Sequence, residues 1–191
     1  MAVYPPSKSC LKSGDTVIIR SAEVSDAATL IALMNHGFST SAFLVHEPDE
    51  FTRTARQQRA LIRHATERPE LLCLVAEHNR KLIGCLDTQG DPRRRARHCV
   101  KLGLVIHETW RSQGVGRRLL ETLIEWAAAS TIVGRLELQV HANNRAGLAL
   151  YQALGFEIEG RRKHAIRLND DTYIDDIMMA KLFPSSRRSS D

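Results

Sequence analysis

Arg111-Ser112-Gln113-Gly114-Val115-Gly116 is the stretch on which the reading of this chain turns. The run before it, Val100 to Ile106, ends in Leu104-Val105-Ile106 and has the β-branched character of a strand. After it, Leu119, Leu120, Leu123, Ile124 and Ala127 recur at helical spacing, with Arg117, Glu121 and Glu125 outward. A glycine-marked junction between strand and helix leaves unpaired backbone N–H groups at the positive end of the helix dipole. Such a turn suits an anion like pyrophosphate. A G-x-G turn alone is modest evidence, because glycine serves many strand-to-helix turns that bind nothing.

A second strand and helix follow. Arg135-Leu136-Glu137-Leu138-Gln139-Val140 alternates, with Leu136, Leu138 and Val140 on one face and Glu137 and Gln139 on the other. Asn143 or Asn144 is placed to cap the next helix, which ends Leu150-Tyr151-Gln152-Ala153-Leu154-Gly155-Phe156 with Gly155 at the C′ position.

Together the two units resemble the GCN5-related N-acetyltransferase superfamily. In that family an R/Q-x-x-G-x-G/A turn holds the coenzyme A pyrophosphate, and an N-x-x-A-x-x-L-Y-x-x-x-G-F segment carries a catalytic tyrosine. The second pattern runs here from Asn144 through Leu150-Tyr151 to Gly155-Phe156, with Gly147 where alanine is usual. The resemblance covers roughly Val17 to Leu182. It implies an α/β (α+β) fold, a mixed central sheet of six to seven strands with about four helices, in the order β-α-α-β-β-β-α-β-α-β-β.

The residues predict the same order. Thr16 to Arg20 forms a strand, and Ser25-Asp26 caps a helix through Leu30, Leu33 and Met34. Residues 37–49 are irregular, and a second helix spans about Phe51 to Thr66, stopping before Pro69. Leu71–Glu77 and Lys81–Asp87 flank the hairpin signal His78-Asn79-Arg80. The last two strands join through Asn169-Asp170-Asp171.

With 191 residues, 43% hydrophobic and 26% charged, the chain suits one globular domain, expected over residues 15–183. Residues 1–14 and 184–191 carry more than half of the net charge of +5 and read as disordered ends. That leaves a nearly neutral core, which argues against a nucleic-acid partner. The run Asp91-Pro92-Arg93-Arg94-Arg95-Ala96-Arg97-His98 reads as a solvated loop; its functional alternative is attraction of an acidic substrate or of cofactor phosphates. No apolar run is long enough to span a bilayer, so no membrane is expected. Four widely spaced cysteines without a C-x-x-C pair read as reduced thiols of a cytoplasmic protein. The histidines show no metal-ligand spacing, and no metal is expected.

The resemblance implies acetyl-CoA as cosubstrate. The backbone of Leu104, Val105 and Ile106 would pair with the pantetheine arm, and an N–H there would face the thioester oxygen. Arg111, Ser112, Gln113, Gly114, Val115, Gly116 and Arg117 would cradle the pyrophosphate. Asn144 would bond the arm near a split between the two central strands. Tyr151 would be the general acid to the thiolate, with Gly147 leaving room beside its ring. In an arbitrary amphipathic helix such a tyrosine is a core residue; the motif around it reverses that reading.

The proton acceptor is less defined. Some protein N-terminal acetyltransferases of the superfamily place a glutamate twelve residues before the tyrosine, where this chain has Gln139. Glu137, on the same strand face, is the first candidate; His107 is a weaker one. The segments Gly155–Gly160 and Tyr173–Ala180 are similar to bacterial acetyltransferases of free L-amino acids and small amines. A small-molecule amine acceptor is therefore expected, and the resemblance implies a homodimer. The rivals are a protein N-terminal acetyltransferase and a non-catalytic acyl-CoA sensor.

Overall fold

The computed structural model describes residues 3–168 and 171–184. Its strands are β1 (Ser7–Cys10), β2 (Thr16–Ser21), β3 (Cys73–His78), β4 (Lys81–Gly90), β5 (Cys99–Ile106), β6 (Arg135–His141), β7 (Glu157–Arg167) and β8 (Tyr173–Leu182). The α-helices are α1 (Ala27–Thr40), α2 (Ala55–Glu67), α3 (Val115–Ala129) and α4 (Arg145–Ala153). One sheet runs β1-β2-β3-β4-β5-β6-β8-β7, antiparallel except where β5 meets β6.

The sheet has eight strands among the described residues, one more than expected. The extra strand is β1, inside the opening stretch read as disordered. Ser7 pairs with Ile19 and Cys10 with Thr16. The tight turn from Leu11 to Asp15, with Gly14 at φ 91, returns the chain and buries Leu11 in the main core. The expected disordered tail lies outside the described residues from 185 onward, as do Asn169 and Asp170 of the β7–β8 connection.

Two apolar layers sandwich the sheet. Leu119, Leu120, Leu123 and Ala127 of α3 pack on Leu74, Leu86, Val100, Leu136, Leu138 and Val140. On the opposite face Leu30, Leu33 and Met34 of α1 and Ile62 of α2 pack on Val75, Cys85 and Val105. Helix α1 continues through Gly37 to Thr40, beyond the end expected for it. Helix α2 begins at Ala55 rather than near Phe51, because Thr54 and Gln57 form a reciprocal capping box. The hairpin between β3 and β4 turns on Asn79 and Arg80, both at positive φ. No described helix is long and apolar enough to cross a membrane.

The basic run between β4 and β5 is partly neutralised within the fold. Arg93 forks onto Asp91, and Arg97 reaches the fully buried Glu70 at 2.9 and 3.0 Å, with Arg68 as a second partner. Burial alone would raise the Glu70 carboxyl, but the Arg97 and Arg68 guanidiniums prevail and hold it at about 2. With the folded value depressed, this contribution is complete above the ordinary carboxylate range and is lost as pH falls from about 4.5 towards about 2. Because both arginines are partly exposed, Glu70→Gln should cost about 1–2 kcal/mol at neutral pH. Urea melts at neutral pH and near pH 3 should show that difference shrinking; a constant difference would separate the residue's role from its charge.

Candidate active site

Strands β5 and β6 are hydrogen-bonded partners at only three positions: Cys99 with Arg135, Val100 with Leu136 and Lys101 with Glu137. Beyond them the strands part. Leu102–Ile106 stays paired to β4 along one edge, from Gly84 opposite Ile106 to Thr88 opposite Leu102. Its other edge faces a cleft of about 630 Å³. Buried backbone donors and acceptors demand partners, so an unpaired strand edge in a cleft is a template for an extended ligand.

The Arg111–Gly116 turn stands at the mouth of this cleft. Ser112 (φ 62) and Gly114 (φ 102) take left-handed conformations, and α3 starts at the next residue. Only a few residue types tolerate that geometry, and the first N–H groups of α3, like those of any helix, have no intrahelical acceptor. Arg117 and Arg118, both lining the cleft, add positive charge and share Glu121 at 3.7 and 2.9 Å. Val105 and Val115 are buried with their side chains in the core, and neither is among the residues that line the cleft.

Arg111 lines the cleft with the rest of the turn, while its guanidinium is engaged within the fold. Its Nη1 donates to the Thr40 carbonyl and its Nη2 to Thr40 Oγ1, both at 2.8 Å, while Nε donates to the Ile106 carbonyl at 3.1 Å. The guanidinium caps the C-terminus of α1 and ties it to the end of β5. Its contribution is to hold the turn in place.

Across the cleft, Asn144 caps α4 by accepting from the Gly147 N–H at 2.9 Å. A Cβ at position 147 would lie 2.8–3.0 Å from the Asn144 carboxamide. The glycine therefore makes room for the asparagine, and it lines the cleft together with Tyr151. One turn later Tyr151 lines the cleft, packed edge-on against Phe156 at 5.9 Å. Its hydroxyl makes no hydrogen bond with the described residues, and burial pushes its pKa up to about 12.

Glu137 is not part of this assembly. It is the last β6 residue paired to β5, its carboxylate takes the Arg135 Nε at 3.0 Å, and it lies outside the cleft lining. Gln139 does line the cleft and accepts from Lys101 Nζ at 3.0 Å, bridging the point where the strands separate. His107 is also outside, stacked on His36 with ring centroids 4.2 Å apart; burial, and then His36, lower its pKa.

Two residues that were not singled out from the sequence occupy the cleft instead. His141, at the end of β6, and Asp176 of β8 are opposed in register and are only 3% and 4% exposed. The same alternation that sets Glu137 and Gln139 on one face puts His141 there too. Sequence could have offered it only if the point of strand separation were known.

Residues 36–156 match the model of the acetyltransferase (GNAT) family. An L-amino acid N-acetyltransferase, AaaT, of Escherichia coli (strain K12) is 32% identical over 117 residues, 61% of this chain and 71% of that protein. The N-alpha-acetyltransferase RimI of Mycobacterium tuberculosis is 33% identical over 64 residues, 34% of this chain and 38% of its own. Among solved structures, a GNAT-family acetyltransferase from Streptococcus pneumoniae superposes with a TM-score of 0.85 at 34% identity, covering 87% of this chain and 99% of the other. The fold is shared with yncA of Salmonella typhimurium, solved with its cofactor acetyl-CoA (TM-score 0.77, 19% identity, 92% and 97% covered). A glycine turn feeding a helix, parted central strands and a tyrosine across the gap have a single common explanation: the chain belongs to the GNAT family of N-acetyltransferases.

Proposed function

We propose that this enzyme transfers the acetyl group of acetyl-CoA to the primary amine of a small metabolite, a free L-amino acid in the first instance, by direct attack in a ternary complex. The observation that carries the reading is the separation of β5 from β6 between an outward-facing helix N-terminus and Tyr151. The donor set fits acetyl-CoA: backbone N–H groups and Arg117 for phosphates, an unpaired strand edge for an amide-bearing arm, and apolar Leu104, Ile106 and Leu150 around it. When bound, acetyl-CoA supplies an acyl group already activated as a thioester.

The chain's own residues then have definite tasks. The free edge of β5 orients the arm and presents an N–H where carbonyl charge develops. Tyr151, kept protonated by burial, holds a proton ready for the departing sulfur. Ser41, Phe43 and Leu44, in the connection from α1 to α2, wall the cleft and restrict what reaches it.

The likeness to an L-amino acid N-acetyltransferase across 71% of that protein supports the acceptor class. Likeness to RimI keeps N-terminal acetylation of proteins as a second reading. Against it, Gln139 cannot take a proton, and its amide oxygen is already engaged by Lys101. Thiol release from acetyl-CoA should be highest with one or a few L-amino acids; higher turnover with peptides bearing a free N-terminus would reverse the two readings.

Tyr151→Phe should lower kcat about 100-fold while leaving acetyl-CoA affinity within a few-fold in calorimetry. Wild-type kcat should show no tyrosine ionisation near pH 10, where an unburied phenol would be half-ionised. An unchanged kcat in the phenylalanine variant would remove Tyr151 from the chemistry. Gly116 faces the cleft with Leu104, Ile106 and Leu150 at 3.5–3.8 Å from an added Cβ. Gly116→Val should fold normally and bind acetyl-CoA at least tenfold more weakly, about 1.4 kcal/mol; undiminished binding would put the cofactor elsewhere.

A further inference from the structure

His141 poses a problem of its own. Both ring nitrogens are buried, and neither has a hydrogen-bond partner among the described residues. An imidazole in that condition destabilises a fold, because a buried donor or acceptor left unpaired costs more than an apolar side chain of the same shape. Its register partner Asp176 is equally buried, with Arg162 Nη1 3.7 Å from one carboxylate oxygen. Asp176 and Arg162 of the β7–β8 hairpin are the charged groups beside His141; the same side of the sheet also carries Lys101 of β5, engaged by Gln139, Glu137 with Arg135 on β6, and the buried Asp87 of β4. The edge of the Phe43 ring covers the imidazole, with centroids 6.5 Å apart.

The arrangement places two acceptor groups side by side in the wall of the cleft. Leu138 and Val140 point into the α3 layer, so alternation sends Gln139 and His141 to the opposite face of β6. Tyr151 stands on the α4 side of the same cleft. The two sides of the strand gap thus hold different proton-handling groups.

We propose that the acceptor's ammonium group docks between His141 and Asp176, and that His141 takes its proton. The inference rests on the acetyl-transfer reading and deepens it by naming the amine subsite. The ammonium offers three donors where the wall offers a carboxylate and an imidazole nitrogen. After one proton passes to His141 and on to solvent, the nitrogen lone pair forms the C–N bond to the acetyl carbon. The C–S bond breaks with its electron pair on sulfur, and Tyr151 protonates that sulfur. The second proton, shed by nitrogen as the amide forms, returns Tyr151 to its starting state. An amine, a thioester and the wall residues account for every atom.

The test pairs stability with activity. His141→Leu removes two unpaired buried polar atoms, so its Tm should equal or exceed that of the wild type, with acetyl-CoA affinity unchanged in calorimetry. Its kcat/KM, measured with whichever of the twenty L-amino acids the wild type uses best, should fall about 100-fold or more. His141→Ala should lose as much and recover partly with added free imidazole. The loss should narrow as pH rises and the acceptor amine becomes neutral unaided. If the wild type uses only peptides or polyamines, the acceptor class fails, and the same variants are measured with that amine. A clearly lowered Tm for His141→Leu, which needs no acceptor at all, would make His141 a structural residue and overturn the proposal. So would kcat/KM within threefold of the wild type.

Discussion

Everything in this site depends on β5 and β6 separating after three paired residues. Parallel strands this close to the centre of a sheet would ordinarily remain paired, since each abandoned backbone group must find another partner. Here β5 keeps β4 along one edge while its other edge stays open, and β6 keeps β8 from Arg135 to His141. The opening is therefore rigid on both sides. It is held by antiparallel ladders and closed at its base by the Lys101–Gln139 bond. A ligand with alternating amide donors and acceptors can take the place the neighbouring strand gives up.

Helix packing fixes where the ends of that ligand lie. The α3 layer is anchored by fully buried Leu119, Leu120 and Leu123, which sets its N-terminus beside the gap. Arg111 then holds the turn from below by capping α1 and the end of β5. Charge at the helix start, apolar walls midway and a half-buried phenol across the gap follow in an order that suits phosphate, arm and thioester. The route proposed for the acceptor is different: the face where the α1–α2 connection and the β7–β8 hairpin meet the sheet.

Much of this was legible in the sequence, and the exceptions are physical. Periodicity and turn chemistry located α3, α4 and the β3–β4 hairpin, and the glycine turn and Tyr151 line one cleft. β1 was missed because its serines and lysine carry no apolar alternation; its anchor is Leu11, one residue past the strand. A motif shows that Arg111 occurs in the turn, which lines the cleft, but not where its guanidinium goes, because the carbonyls that claim it come from Thr40 and Ile106. Glu137 and His141 share one face of β6, and alternation treats them alike. Only the residue at which the strands separate distinguishes them, and that is a property of the assembled sheet.

The central claim, that the gap between β5 and β6 receives acetyl-CoA, is tested most directly by a crystal structure of the enzyme with that molecule. The account predicts the pyrophosphate over the N-terminus of α3, the pantetheine arm along Leu104–Ile106, and the sulfur within hydrogen-bond reach of Tyr151 Oη, about 3–3.5 Å. A pyrophosphate away from α3, or a sulfur with another group between it and Tyr151, would contradict it.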